Sequence, residues 1–111
     1  MNSGQENTSA DLSRIAATLY MEMKKSINTK NLNSFREAIT VAKEIMQRSR
    51  QRQIVERLAS LKDDKGRNVL HDAALLAVKA DDARYFNELV ALGIPFYEED
   101  KQGYFAAFYI S

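Results

Sequence analysis

The residue types that carry covalent or acid–base chemistry are scarce in this chain. His71 is the only histidine, and there is no cysteine. Thiolate nucleophiles, disulfides and Cys-based zinc sites are therefore excluded. A catalytic His71 would need an orienting partner, and the adjacent Asp72 points to a different face of any helix. Ser60 lies in no nucleophile-elbow motif. His71 is read as a buried, hydrogen-bonded histidine, and a small enzyme built on it is the least favoured reading. The acidic groups Asp63/Asp64, Asp81/Asp82 and Glu98-Glu99-Asp100 lack the alternating oxygen ligands and central glycine of a calcium loop. They read as turns and a helix cap. No cofactor and no metal is expected.

Two further clusters bear on binding. Arg48, Arg50, Arg52 and Arg57 form a basic patch that could meet phosphates. No aromatic lies nearby to stack a base, since Phe35 upstream belongs to an apolar stripe. Nucleic acid is thus not an expected partner. The patch reads first as a solvated turn, and second as a docking surface for an acidic protein. The other cluster is aromatic: Phe96, Tyr97, Tyr104, Phe105, Phe108 and Tyr109 all follow residue 95. Aromatic side chains are enriched at interface hot spots and are equally ordinary core filler, so both readings stay open.

The elements that hold these residues follow from apolar spacing. Leu12, Ile15, Ala16, Leu19, Met23 and Ile27 share one helical stripe. Thr8 or Ser9 can cap this helix, and Asp11 in its first turn suits the helix dipole. It stops at Asn28-Thr29-Lys30-Asn31, whose side chains compete with the helix for backbone bonds. A link of about five residues then returns the chain antiparallel. Asn33 or Ser34 caps a second helix faced by Phe35, Ala38, Ile39, Ala42, Ile45 and Met46. Residues 47–53 hold no apolar side chain and read as a helix break or turn. Ile54, Val55, Leu58 and Leu61 mark a short third helix, ended by the stretch to Gly66. A fourth runs from Asn68 to Lys79, with Val69, Leu70, Ala73, Leu76 and Ala77 inward. A fifth begins near Asp81 or Asp82 and carries Ala83, Phe86, Leu89 and Val90. Gly93 closes it and Pro95 blocks continuation. Residues 104–110 read as a short C-terminal helix on the core. The fold class is all-α: an antiparallel helix-loop-helix array of about five helices plus that last one.

Length and charge set the frame. The chain has 111 residues, enough for one domain with a modest core. Residues 1–7 read as a disordered leader and 8–111 as a single helical domain. Within it, 8–62 supplies the N-terminal helices and 63–111 the remainder. The net charge is +1, yet residues 1–62 carry +5 and residues 63–111 carry −4. Such bipolarity suits contacts between copies, so a homodimer is expected. No run of roughly 18 apolar residues exists, so no membrane span is expected. The polar stretch 1–10 lacks the apolar region of a secretory signal. The absence of cysteine fits a reducing, cytoplasmic setting.

Residues 63–103 carry one recognisable pattern. They read Asp63-x-x-Gly66-x-Asn68-Val69-Leu70-His71-x-Ala73-Ala74, then a helix, then Gly93-Ile94, then Asp100-x-x-Gly103. This resembles the ankyrin repeat, whose pattern places T-P-L-H-x-A at the start of its first helix. The resemblance implies that the histidine bonds backbone groups and ties adjacent turns together. Three departures stand out. Asn68-Val69 replaces Thr-Pro. Gly66 and Gly103 are 37 positions apart, against a repeat of about 33. The second unit reads Phe105-Ala106-Ala107-Phe108 and then ends. The chain thus resembles one ankyrin-like unit with degenerate helical caps.

The resemblance implies a non-enzymatic module that binds another protein. Starting at Met1, the chain is read as a whole small protein, which would act most simply by occluding a partner's surface. A regulator or inhibitor is therefore expected, with a homo-oligomeric architectural protein as the alternative. Contacts are expected from Glu98, Glu99, Lys101, Tyr104, Phe105, Phe108 and Tyr109, and secondarily from Arg48 to Arg57. Ankyrin-like proteins are frequent among effectors of intracellular bacteria, which would place such a regulator in a host cytosol.

Overall fold

The structure, a computed structural model, describes residues 9–49 and 53–110. The leader 1–7, Thr8, Arg50 and Arg52 lie outside the described residues. Five α-helices and a terminal 3-10 helix follow one another, and no strand occurs among the described residues. They are α1 (Ser9–Thr29), α2 (Leu32–Ser49), α3 (Gln53–Ser60), α4 (Val69–Lys79), α5 (Arg84–Leu92) and the 3-10 helix Ala106–Tyr109. The all-α reading holds.

The apolar stripes face one another as their spacing requires. α1 and α2 form a hairpin that stacks on the hairpin of α4 and α5, with α1 against α4 and α2 against α5. α3 packs mainly on α1, and the 3-10 helix packs on α4. Leu12, Ala16, Leu19, Met23 and Ile27 of α1 are buried with Phe35, Ile39 and Ala42 of α2. Ala73 and Ala74 are fully buried, and their small side chains let α4 approach its neighbours. Phe35 meets Tyr85 of α5 edge-to-face at 5.0 Å. Lys24 on α1 bonds Asp72 of α4 at 2.9 Å and Asp63 at 3.2 Å. Burial lowers the Lys24 pKa, but these two carboxylates outweigh it and raise the ammonium above its ordinary value. Among the described residues no helix is long and apolar enough to cross a membrane.

Local chemistry moved several boundaries. The α1–α2 link is two residues rather than five. Lys30 takes φ 57°, so its N–H reaches Ile27 O and the Asn31 N–H reaches Ser26 O. That pair of bonds is a Schellman turn without its usual glycine. Asn31, not Asn33 or Ser34, then caps α2, its Oδ1 accepting from the Ser34 N–H. α2 runs on to Ser49, so Arg48 belongs to a helix rather than a break. A cation in a last helical turn is favoured by the dipole there. α5 begins at Arg84, which turns Tyr85, Leu89 and Leu92 inward and leaves Ala83 and Val90 exposed. Gly93, at φ 101°, closes α5 through N–H bonds of Gly93 and Ile94 to Val90 O and Leu89 O.

Candidate partner-binding surface

Two turns of the same construction project beside the helices. In the first, the Asp63 N–H donates to Arg67 O, and Asp63 O accepts from the Gly66 N–H, both at 3.0 Å. The Asp63 Oδ1 also accepts from the Lys65 and Arg67 N–H groups. In the second, Asp100 repeats every bond: with Tyr104 O, with the Gly103 N–H, and from the Gln102 and Tyr104 N–H groups to its Oδ1. An aspartate that satisfies its own downstream amides, with glycine at positive φ, sets this turn locally. Gly66 has φ 76° and Gly103 φ 86°. The turns stack, and the Lys101 N–H donates to Lys65 O at 3.1 Å.

His71 joins the second turn to the start of α4. Its Nε2 lies 2.8 Å from Tyr104 O. A carbonyl only accepts, so Nε2 carries a proton, while Nδ1 lies 3.2 Å from the Asn68 N and 2.7 Å from the Asn68 Oδ1. Asn68 completes a capping box by accepting from the His71 N–H, and its Nδ2 donates to Ala59 O. Both ring nitrogens are thereby committed to structure in a fully buried side chain. The Asp100 Oδ2 accepts from the Tyr109 hydroxyl. Burial pushes the Asp100 carboxyl up, yet the Tyr109 hydroxyl and the Tyr104 and Gln102 amides outweigh it and hold it below its ordinary value. Tyr109 is pushed up, first by donating to Asp100 and then by burial.

What this scaffold exposes is aromatic. Tyr104 and Phe108 stack with centroids 3.9 Å apart and planes within 7°. Tyr109 stands edge-on to both, at 6.1 and 5.4 Å. Phe108 is 52% exposed, and Phe105 and Ile110 beside it are also exposed. Phe96 and Tyr97 are exposed on the preceding loop. Only Ala106 of the 3-10 helix is buried. Next to this face, Asp64, Lys65, Arg67, Asp100, Lys101 and Gln102 line a cleft of about 390 Å³ between the turns.

The other expected contact residues separate into exposed and engaged groups. Tyr104, Phe105 and Phe108 are exposed, as are the side chains of Glu99 and Lys101. Tyr109 turns inward as the wall behind them. Glu98 pairs with Lys62 at 2.9 Å. Arg48 is exposed on α2, whereas Arg57 on α3 donates to Ser13 Oγ on α1 at 2.6 Å. The described part of the arginine cluster is thus divided between two helices. Lys65 and Arg67 were not among the expected contacts. Their signal was present, because they occupy the turn positions that Gln102 and Tyr104 fill one unit later.

The charge asymmetry also resolves. Asp63 and Asp72 are bound to Lys24, Glu88 to Arg36, and Glu98 to Lys62. Asp82 is bound to Arg84, which lowers its carboxyl to about 2. Asp100 is bound to Tyr109. Most acids of residues 63–111 are therefore engaged within the chain. Among the described residues no three His, Asp or Glu side chains converge as a metal ion would need. The chain matches no protein-family model, no curated protein and no solved structure.

Proposed function

We propose that this chain is a non-enzymatic, ankyrin-like protein-binding module that regulates a partner by covering its surface, in a cytoplasmic setting. The observation that carries this reading is the exposed Tyr104–Phe108 stack on a rigid support. An aromatic pair held in place loses little freedom on binding, and exposed aromatics of this kind serve as interface anchors. The paired turns, and the bond from His71 to the following turn, support the ankyrin-like part of the reading. His71 contributes to stability rather than to chemistry in this account.

The test compares capture by the wild-type chain with capture by Phe108→Ser. The side chain is half exposed, so the substitution leaves the core intact. Proteins retained by the wild type and lost with Phe108→Ser support the reading; identical sets from both chains contradict it.

Self-association is the second reading, favoured by the same aromatic end. The 3-10 helix packs on α4 where a further hairpin would continue the stack, and its exposed aromatic face is what a second copy would meet. Sedimentation that shows a dimer in the wild type and a monomer in Phe108→Ser supports it. A strict monomer at micromolar concentration removes it.

A further inference from the structure

We propose that the cleft between the two turns binds a carboxylate on an acidic segment of a partner protein, while the adjoining aromatic face takes that segment's apolar side chains. The inference rests on the protein-binding reading and names the chemistry of the partner.

The charges around the cleft are unequal. Lys65, Arg67 and Lys101 line it together with Asp64 and Asp100. Asp100 already accepts from the Gln102 and Tyr104 amides and from the Tyr109 hydroxyl. The lysine side chains are exposed, and neither ammonium has an ion-pair partner among the described residues. Three cations against two carboxylates leave the cleft with a net positive charge, and Asp100, already satisfied by neutral donors, leaves the cations available to a ligand.

Arg67 gives the site its direction. Its guanidinium lies over the Tyr109 ring, 5.6 Å from the centroid. The Nε of Arg67 is buried and has no hydrogen-bond partner. With Nε enclosed, an arriving carboxylate would meet the terminal nitrogens of the guanidinium. A guanidinium fixed by an aromatic face presents its donors edgewise, the geometry that carboxylates accept.

Continuity with the aromatic face favours a peptide over a free anion. The ring that supports Arg67 is the one standing edge-on to Tyr104 and Phe108. A ligand that fills both regions carries a carboxylate and apolar groups a few atoms apart. An acidic segment interrupted by aromatic or aliphatic residues has that chemistry.

The experiment titrates the full chain with a labelled octapeptide of alternating Glu and Phe, followed by anisotropy and by amide chemical shifts. Its Gln–Phe counterpart and inorganic phosphate serve as the other probes. The Glu–Phe peptide is expected to shift amides of 64–67 and 101–104. Lys65→Gln and Lys101→Gln should each weaken it about threefold to fivefold, as expected for losing one exposed ion pair. Arg67→Gln should weaken it further. Arg67 touches Tyr109, so the two lysine variants carry the test if Arg67→Gln fails to fold. Equal binding of the Gln–Phe peptide, unchanged affinity in both lysine variants, or no binding at millimolar peptide overturns the proposal. Phosphate shifting the same amides while the peptide does not overturns it in favour of a free anion. If Phe108→Ser alone abolishes peptide binding, the protein-binding reading survives and only the carboxylate site falls. If no variant alters binding, both fall.

Discussion

Gly66 is the point where the stacked turns are most sensitive. Alanine there meets two penalties of different origin. The first is strain at φ 76°, about 1–2 kcal/mol for a residue with a Cβ in the left-handed region. A stiffer unfolded chain offsets about 0.4–1 kcal/mol of it, leaving about 1 kcal/mol. The second is steric. A Cβ on Gly66 would sit 2.7 Å from Lys101 N and 2.9 Å from Lys101 Cγ. Backbone yields poorly, so the second turn must retreat by roughly 0.7 Å to reach ordinary contact at 3.4 Å. That retreat breaks the Lys101 N–H bond to Lys65 O and strains the His71 bond to Tyr104 O. Each bond is worth about 1 kcal/mol. Gly66→Ala should therefore cost about 3 kcal/mol. Gly93→Ala and Gly103→Ala share the positive φ but have open space or only a distant Glu99 Oε1 at 4.0 Å. They should cost about 1 kcal/mol each. Thermal unfolding by circular dichroism separates these values, at about 4 °C per kcal/mol for a domain of this size. If Gly66→Ala melts within a degree or two of the other variants, the stacking of the turns is not what Gly66 serves.

Other perturbations follow from individual contacts. Lys30 occupies φ 57° where the Schellman turn favours glycine, so Lys30→Gly should raise stability by about 0.5–1 kcal/mol in urea unfolding. Lys24→Ala leaves Asp72 half-buried without its cation and should cost about 1–2 kcal/mol, with little salt dependence compared with an exposed pair; a loss below 0.5 kcal/mol on the same scale of error would show the bridge to be ornamental. The Asp100 pKa is lowered in the folded state, so its contribution is complete above the unfolded carboxylate value of about 4 and lost as pH falls through the lowered one. Acid unfolding should therefore be shallower in Asp100→Asn, which is itself less stable at neutral pH by about 1.5–3 kcal/mol. His71→Ala should lower stability by about 2–3 kcal/mol through its lost bonds to Asn68 and Tyr104; denaturant titration reports it.

The helical stripes were legible because burial imposes a 3.6-residue period. Leu12 to Ile27 and Phe35 to Ala42 face inward as their spacing requires. Boundaries were less legible, because they turned on single backbone conformations. Lys30 adopting a glycine-like φ shortened the first link and handed the cap to Asn31. α5 starts at Arg84 rather than near Asp81 or Asp82, and Tyr85 lies in the core. Asn68 as a cap and the commitment of His71 to hydrogen bonds were readable from the local pattern. The site was readable only in part. Tyr104, Phe105 and Phe108 stood out by type, but type does not say which ring bonds a carboxylate, and Tyr109 does. The charge of residues 63–111 misleads in the same way. Counted along the chain it is acidic, yet pairing with Lys24, Arg36 and Lys62 of the first half offsets much of it. The cations of the cleft become visible only after that pairing is known.

The claim that the aromatic end is the working surface is tested most directly by site-specific photocrosslinking in living cells. A benzoylphenylalanine in place of Phe108 probes the proposed face. The same group in place of Met21, which is 67% exposed on α1, probes an apolar position elsewhere. The account predicts a discrete adduct with another protein at Phe108 and none at Met21. Equal labelling from both positions, or none from Phe108, contradicts it.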